Sequence, residues 1–125
     1  MAKILVIEDV PSNRDLVSVV LEYAGHSVCT AQTAEEGIEI ARISKPDAIV
    51  MDIRLPGMDG LAATRVIKTD PQLKNIKILA LTAAAMAGDR ERILSAGCDA
   101  YIQKPLRYRN FLTVLCSLLG FPSCV

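Results

Sequence analysis

Five short runs of β-branched and apolar residues recur along this chain, each followed by a segment with helical spacing of its apolar positions. That alternation restricts the fold more than any other feature. The first run, KILVIE (Lys3 to Glu8), precedes a helix that begins near Pro11, carries Leu16, Val17, Val20, Leu21 and Ala24 as its apolar positions, and ends at Gly25. A short strand follows from Ser27 to Thr30. TAEE then reads as a capping box, with Thr33 as N-cap and Glu36 three residues on, opening a second helix through Ile43. DAIVMD (Asp47 to Asp52) is the third strand, Asp59 and Gly60 lead a helix through Ile67, and TDPQLKN is a loop. IKILALT (Ile76 to Thr82) is the fourth strand, an alanine-rich stretch leads into a helix ending near Gly97, and DAYIQ is the fifth strand. The last helix places Phe111, Leu112, Leu115 and Leu119 on one face and stops at Gly120. Strands one, three and four are almost continuously apolar, which predicts a parallel sheet covered on both faces: an α/β, doubly wound fold.

The 125 residues suffice for one domain with a substantial core. No internal linker or low-complexity stretch divides them. No apolar run approaches the ~20 residues of a membrane span, and MAKILVIED meets acids too early for a secretory signal. Fourteen basic and fourteen acidic side chains cancel, so nothing in the global charge points to nucleic acid or anionic membrane. The four cysteines form no C-x-x-C pair, and His26 has no ligand-like spacing to them. Cys29, Cys98 and Cys116 read as small buried hydrophobes and Cys124 as an exposed, oxidisable thiol, a set that fits a reducing cytoplasm.

Parallel strands put every strand-to-helix turn on one edge of the sheet, where open α/β sheets bind ligands. At that edge strand one ends in Glu8 and Asp9, strand three in Asp52, strand four in Thr82, and strand five in the Lys104-Pro105 turn. A single strand-end aspartate is ordinary turn chemistry. Three acids, a hydroxyl and a lysine converging on one edge are not. Three neighbouring carboxylates raise one another's pKa unless a cation compensates. Mg²⁺, an oxygen-seeking ion held by one or two carboxylates plus a phosphate, answers that need, with Mn²⁺ as a substitute. Carboxylates form aspartyl-phosphates, and a lysine is a compact charge for phosphoryl oxygens. The set therefore predicts in-line attack by Asp52 on a phosphoryl group, with charge neutralised by metal and Lys104.

The ordered motifs IED at Glu8-Asp9, MDIRLPGMDG around Asp52, LTA at Thr82 and AYIQKP at Tyr101 to Pro105 closely resemble the receiver domain of two-component response regulators, over essentially the whole chain. The resemblance implies a five-stranded, flavodoxin-like sheet in the order 2-1-3-4-5, with residues 1–120 as the receiver and 121–125 as a short tail without an output domain. It makes Asp52 the phosphoacceptor. It assigns the metal to Asp9 directly, Glu8 through water, Asp52 and the backbone carbonyl of Arg54, and the phosphoryl contacts to Thr82 and Lys104. Thr82 and the ring of Tyr101 would form a coupled switch altering the face made by the fourth helix, fifth strand and fifth helix. A cis bond before Pro105 is also implied, and Arg54 and Ala84 occupy positions expected to tune phosphoryl lifetime. Donors would be a histidine kinase or a histidine-containing phosphotransfer protein. A downstream protein would be the target, with neither nucleic acid nor membrane as partner. Such a protein is a cytoplasmic signalling switch that catalyses only its own phosphorylation and dephosphorylation, expected as a monomer that could dimerise when phosphorylated.

Three competing readings have sequence arguments. A phosphatase using the same aspartyl-phosphate would place an acid two residues after the nucleophile, where this chain has Arg54. A module that kept the fold and lost the chemistry would not need Glu8, Asp9, Asp52, Thr82 and Lys104 intact. A receiver cut from a hybrid kinase or larger regulator is the alternative to the stand-alone regulator favoured here. Met58 is expected to shield the site and His26 to sit in a solvated turn. The cations of DRER (Asp89 to Arg92) and RYR (Arg107 to Arg109) read either as a solvated face or as part of a partner-docking surface.

Overall fold

The computed structural model describes residues 2–54, 57–83 and 89–120. The expected roles of Ala84 and Cys124, the Leu55-Pro56 part of the turn after Asp52, and the tail lie outside them. Five strands, β1 (Lys3–Ile7), β2 (Ser27–Ala31), β3 (Ala48–Asp52), β4 (Lys77–Thr82) and β5 (Ala100–Gln103), alternate with α1 (Pro11–Tyr23), α2 (Ala34–Ser44), α3 (Gly60–Thr69), α4 (Asp89–Ser95) and α5 (Tyr108–Leu119). All pairings are parallel, in the order β2-β1-β3-β4-β5.

Alternation along the central strands sorts the core into two layers. Leu5, Ile7, Ile49, Met51, Ile78 and Ala80 pack with Ile38, Leu61, Ile67 and Ile93 from α2, α3 and α4. Ile4, Val6, Ala48, Val50, Leu79 and Leu81 pack with Val17 and Leu21 of α1 and Phe111 and Leu115 of α5. Burying each of these side chains larger than alanine contributes about 1.5–3 kcal/mol. β3 is buried at every position, whereas β2 alternates only weakly and lies at an edge.

Local chemistry sets the helix ends that face the site. Pro11 stands at the start of α1, where its missing N–H costs nothing. Thr33 caps α2 by accepting from the Glu36 N–H at 3.1 Å. Among the described residues the reciprocal arm of the expected capping box does not form. Asp59 caps α3 by accepting from the Ala62 N–H at 2.8 Å. Gly60 follows because a Cβ there would stand 2.5 Å from the Asp52 carbonyl oxygen and 2.8 Å from the Ile53 Cα, where backbone cannot yield.

Two expectations need correction. His26 is not in a solvated turn: it is 8% exposed, and its Nδ1 accepts from the Ala2 N–H at 3.3 Å. The pairing of β1 with β2 brings the N-terminal backbone beside it, a contact 24 residues distant along the chain. Cys116 is disulfide-bonded and not a reduced thiol, whereas Cys29 and Cys98 are free. Met58 is half-buried against the α2-α3-α4 layer.

Candidate functional site

Asp52 ends the central strand, with β1 on one side and β4 on the other, so its carboxylate has little freedom and is only 6% exposed. Its Oδ1 accepts from the Arg54 N–H at 3.1 Å. The Ile53 N–H donates to the Leu81 carbonyl at 3.1 Å and the Gly60 N–H to the Ile53 carbonyl at 2.9 Å, so the chain after Asp52 is pinned to β4 and to the start of α3.

Glu8 and Asp9 arrive from the adjacent end of β1. One carboxylate oxygen from each of Glu8, Asp9 and Asp52 lies within 4.8 Å of the others. Glu8 is 3% exposed, and Asp9 is the more open acid. The turn carrying them is held by Arg14, whose Nη1 donates to the Glu8 carbonyl at 3.0 Å, and by the Glu8 N–H, which donates to the Ala31 carbonyl at 3.0 Å. Lys104 approaches from the end of β5, with Nζ 3.4 Å from Asp52 Oδ2 and 3.6 Å from Glu8 Oε1. Its own N–H donates to the Thr82 carbonyl at 2.7 Å, which ties the β5 turn to the end of β4. Thr82 is 7% exposed at that end, and the Lys104–Pro105 bond is cis.

Lys104 reaches two of the three clustered carboxylates, and the electrostatics register the imbalance. Burial pushes the Glu8 carboxyl up to about 7; neighbouring Asp52 adds to the rise, while Lys104 and Asn13 oppose it. Glu8 Oε2 is buried and has no hydrogen-bond partner among the described residues. An orphaned buried carboxylate oxygen is costly unless a cation or bound water completes it. This donor set of hard oxygens fits a Mg²⁺-like ion that keeps part of its water shell. Beside the cluster, a cleft of about 280 Å³ is lined by Glu8, Asn13, Leu16, Lys104, Leu106 and Tyr108.

Glu8, Asp9, Asp52, Thr82 and Lys104 thus meet at one sheet edge, and the Arg54 backbone adjoins Asp52. Tyr101 is separate, half-buried against the α2-α3-α4 layer. Sequence reasoning passed over Asn13, Arg14 and Glu35. Glu35 Oε1 accepts from the Met58 N–H at 3.2 Å, reaching from the first turn of α2 to the loop that leaves Asp52. The only sequence signal for Asn13 and Arg14 is their place in the first turn after Glu8-Asp9.

Comparison with known proteins gives a consistent result. Residues 4–115 match the response regulator receiver domain model. The polar-differentiation response regulator DivK of Brucella anthropi is 38% identical over 117 residues, covering 94% of this chain and 95% of that protein. The chemotaxis protein CheY4 of Vibrio cholerae superposes with a TM-score of 0.89 at 29% identity, covering 94% of this chain and 98% of that one. The receiver domain of the sensor histidine kinase PA1611 of Pseudomonas aeruginosa, solved with a magnesium ion coordinated in its active site cleft, gives a TM-score of 0.88 at 35% identity, covering 95% and 98%.

Proposed function

This chain belongs to the response regulator receiver domain family, and on that premise we propose that it accepts a phosphoryl group on Asp52 from a phosphohistidine donor. The donor is a histidine kinase or a histidine-containing phosphotransfer protein. The observation carrying this reading is the meeting of the Glu8, Asp9 and Asp52 carboxylates within 4.8 Å, with Lys104 reaching Asp52 and Glu8.

An Asp52 oxygen attacks phosphorus in line, the O–P bond forms as the P–N bond to the donor imidazole breaks, and the released ring nitrogen takes a proton. Asp9, Asp52 and the Arg54 carbonyl would hold Mg²⁺, with Glu8 completing the site through water, as the orphaned Glu8 Oε2 supports. When bound, the ion supplies positive charge to the phosphoryl oxygens. Lys104 contributes a second positive charge there, and the Thr82 hydroxyl donates to another oxygen. Rigid placement of Asp52 between β1 and β4 supplies most of the orientation that phosphoryl transfer needs.

Thr82 and Tyr101 then act as the switch. Drawing Thr82 toward the phosphoryl group leaves room for the Tyr101 ring to turn inward and changes the face of α4, β5 and α5 seen by a downstream protein. The chain catalyses only its own phosphorylation and dephosphorylation. No helix among the described residues is long and apolar enough to cross a membrane, and we place the protein in the cytoplasm, where its donors work. Incubation with Mg²⁺ and acetyl phosphate, read by intact mass beside Asp52→Asn, tests the reading. One added phosphoryl group in wild type and none in the variant is expected. No addition, together with failure across a panel of histidine kinases, would sink it.

A further inference from the structure

Glu8, the first of the two acids that follow β1, has both of its backbone polar groups held. Its N–H donates to the Ala31 carbonyl of β2 at 3.0 Å, and its carbonyl accepts from Arg14 Nη1 at 3.0 Å. The ladders of β1 with β2 and β3 end at Ile7, so the sheet register stops just before these acids. The second hold therefore comes from a helix. Arg14 lies near the start of α1 and reaches back to a residue six positions earlier.

What Arg14 does with its charge is unusual. The carboxylates of Glu8, Asp9 and Asp52 cluster beside that turn, yet among the described residues Arg14 forms no ion pair. Its half-buried side chain donates to a main-chain carbonyl instead. The first turn of α1 carries no acid, and its N-cap makes no side-chain bond. A cation near such a helix start is disfavoured by the dipole. Neither ion pairing nor helix stability accounts for this arginine, and the contact that remains is the one to Glu8.

The Glu8 carbonyl and the Asp9 N–H share one peptide plane. Turning that plane swings the Asp9 side chain relative to Glu8 and Asp52. Asp9 is the most open of the three acids, so packing does least to fix it. Mg²⁺ tolerates little departure from octahedral oxygen geometry. We propose that Arg14 is a positioning residue for the metal, setting Mg²⁺ affinity by fixing the peptide that joins Glu8 to Asp9. It acts through that peptide and not as a ligand. The inference rests on the receiver reading for the identity and place of the ion.

The test compares wild type with Arg14→Ala, Arg14→Lys and Ser18→Ala. Ser18 Oγ donates to the Arg14 carbonyl at 2.7 Å on the same helix, so its loss disturbs α1 without freeing the turn. Titration calorimetry with Mg²⁺ alone should show binding weakened about tenfold in Arg14→Ala. Arg14→Lys keeps a donor and should fall between, while Ser18→Ala should match wild type. The Mg²⁺ concentration that half-saturates phosphorylation by acetyl phosphate should rise in Arg14→Ala by the same factor, with the saturated rate unchanged. In EDTA, the Asp9 amide should exchange with solvent faster in Arg14→Ala than in wild type, a readout that needs neither metal nor phosphate. Equal Mg²⁺ affinity in Arg14→Ala and wild type would overturn the proposal whatever the melting temperatures, as would an equal loss in Ser18→Ala or a wild type that binds no Mg²⁺. A wild type that binds Mg²⁺ but takes no phosphoryl group removes the receiver reading, and the role of Arg14 stands if the affinities keep the expected order.

Discussion

The Glu35 carboxylate, in the first turn of α2, accepts a hydrogen bond from the Met58 N–H at 3.2 Å and so holds the loop leaving Asp52 from a neighbouring helix. Gly57, just before that amide, has φ +73°, a conformation glycine adopts without strain. Ile53 is thus held by Leu81, Gly60 by Ile53, and Met58 by Glu35.

Removing that hold should slow the chemistry without unfolding the protein. A charge-assisted hydrogen bond at the surface is worth on the order of 1 kcal/mol, so Glu35→Ala is expected to slow phosphorylation of Asp52 about threefold to tenfold. Glu35→Gln, which keeps an acceptor oxygen, should recover part of the rate. Mass-resolved time courses with acetyl phosphate at several Mg²⁺ concentrations provide the check. Equal rates in all three proteins would mean that the contact orders nothing that matters.

Metal should raise stability through the same acids. An ion that binds only the folded chain adds about 2.7 kcal/mol at a hundred times its dissociation constant. Thermal midpoints of wild type are expected to climb with Mg²⁺ and return with EDTA. Asp9→Asn and Asp52→Asn should show much smaller gains. A wild-type midpoint indifferent to Mg²⁺ would contradict the assignment of these residues as ligands.

His26 gives the fold a pH dependence remote from the site. Burial lowers its pKa below the ordinary 6.5, so the folded chain binds this proton less readily than the unfolded one. The stability it allows is fully present above about 6.5 and is lost as pH falls through the lowered value. Protonation would also place a donor where Nδ1 accepts from Ala2. Urea midpoints measured from pH 8 to pH 5 should fall less steeply in His26→Gln than in wild type. Parallel curves would rule out His26 as a contributor.

At the opposite end of the sheet, Asp99 Oδ2 accepts from Lys68 Nζ and from the Ile78 N–H, each at 2.8 Å, while Lys68 also donates to the Ile76 carbonyl at 2.9 Å. These side chains are only 20% and 24% exposed. Lys68→Met should therefore cost about 1.5–3 kcal/mol. Arg42→Ala should change little, because the Arg42–Asp70 pair is solvent-screened, with Arg42 39% exposed. Urea unfolding of the two variants side by side measures the contrast, and equal losses would refute this ranking.

What could be read in advance divides along a physical line. β1, β3 and β4 are buried on both faces, so their apolar runs stand out, and the acids that end the β1 and β3 runs are conspicuous against them. Glu8, Asp9, Asp52, Thr82 and Lys104 share an edge for a topological reason that any parallel sheet enforces. The misreadings concern contacts made across the chain. His26 looked solvated because the Ala2 amide that covers it is brought there by strand pairing. TAEE resembles a self-contained capping box, yet Glu35 is the acid that reaches out, to a loop 23 residues away. The orphaned Glu8 Oε2 depends on side-chain packing that no motif encodes.

Asp52 ends the middle strand of the sheet, whereas Lys104 lies beyond the last one. During synthesis the aspartate therefore leaves the ribosome well before the lysine that faces it. A half-made chain presents Asp52 without Lys104, Thr82 or the β4 neighbour that stiffens it. On the proposed reading, a chain stopped before β5 would lack the Lys104 charge that stands 3.4 Å from Asp52 Oδ2.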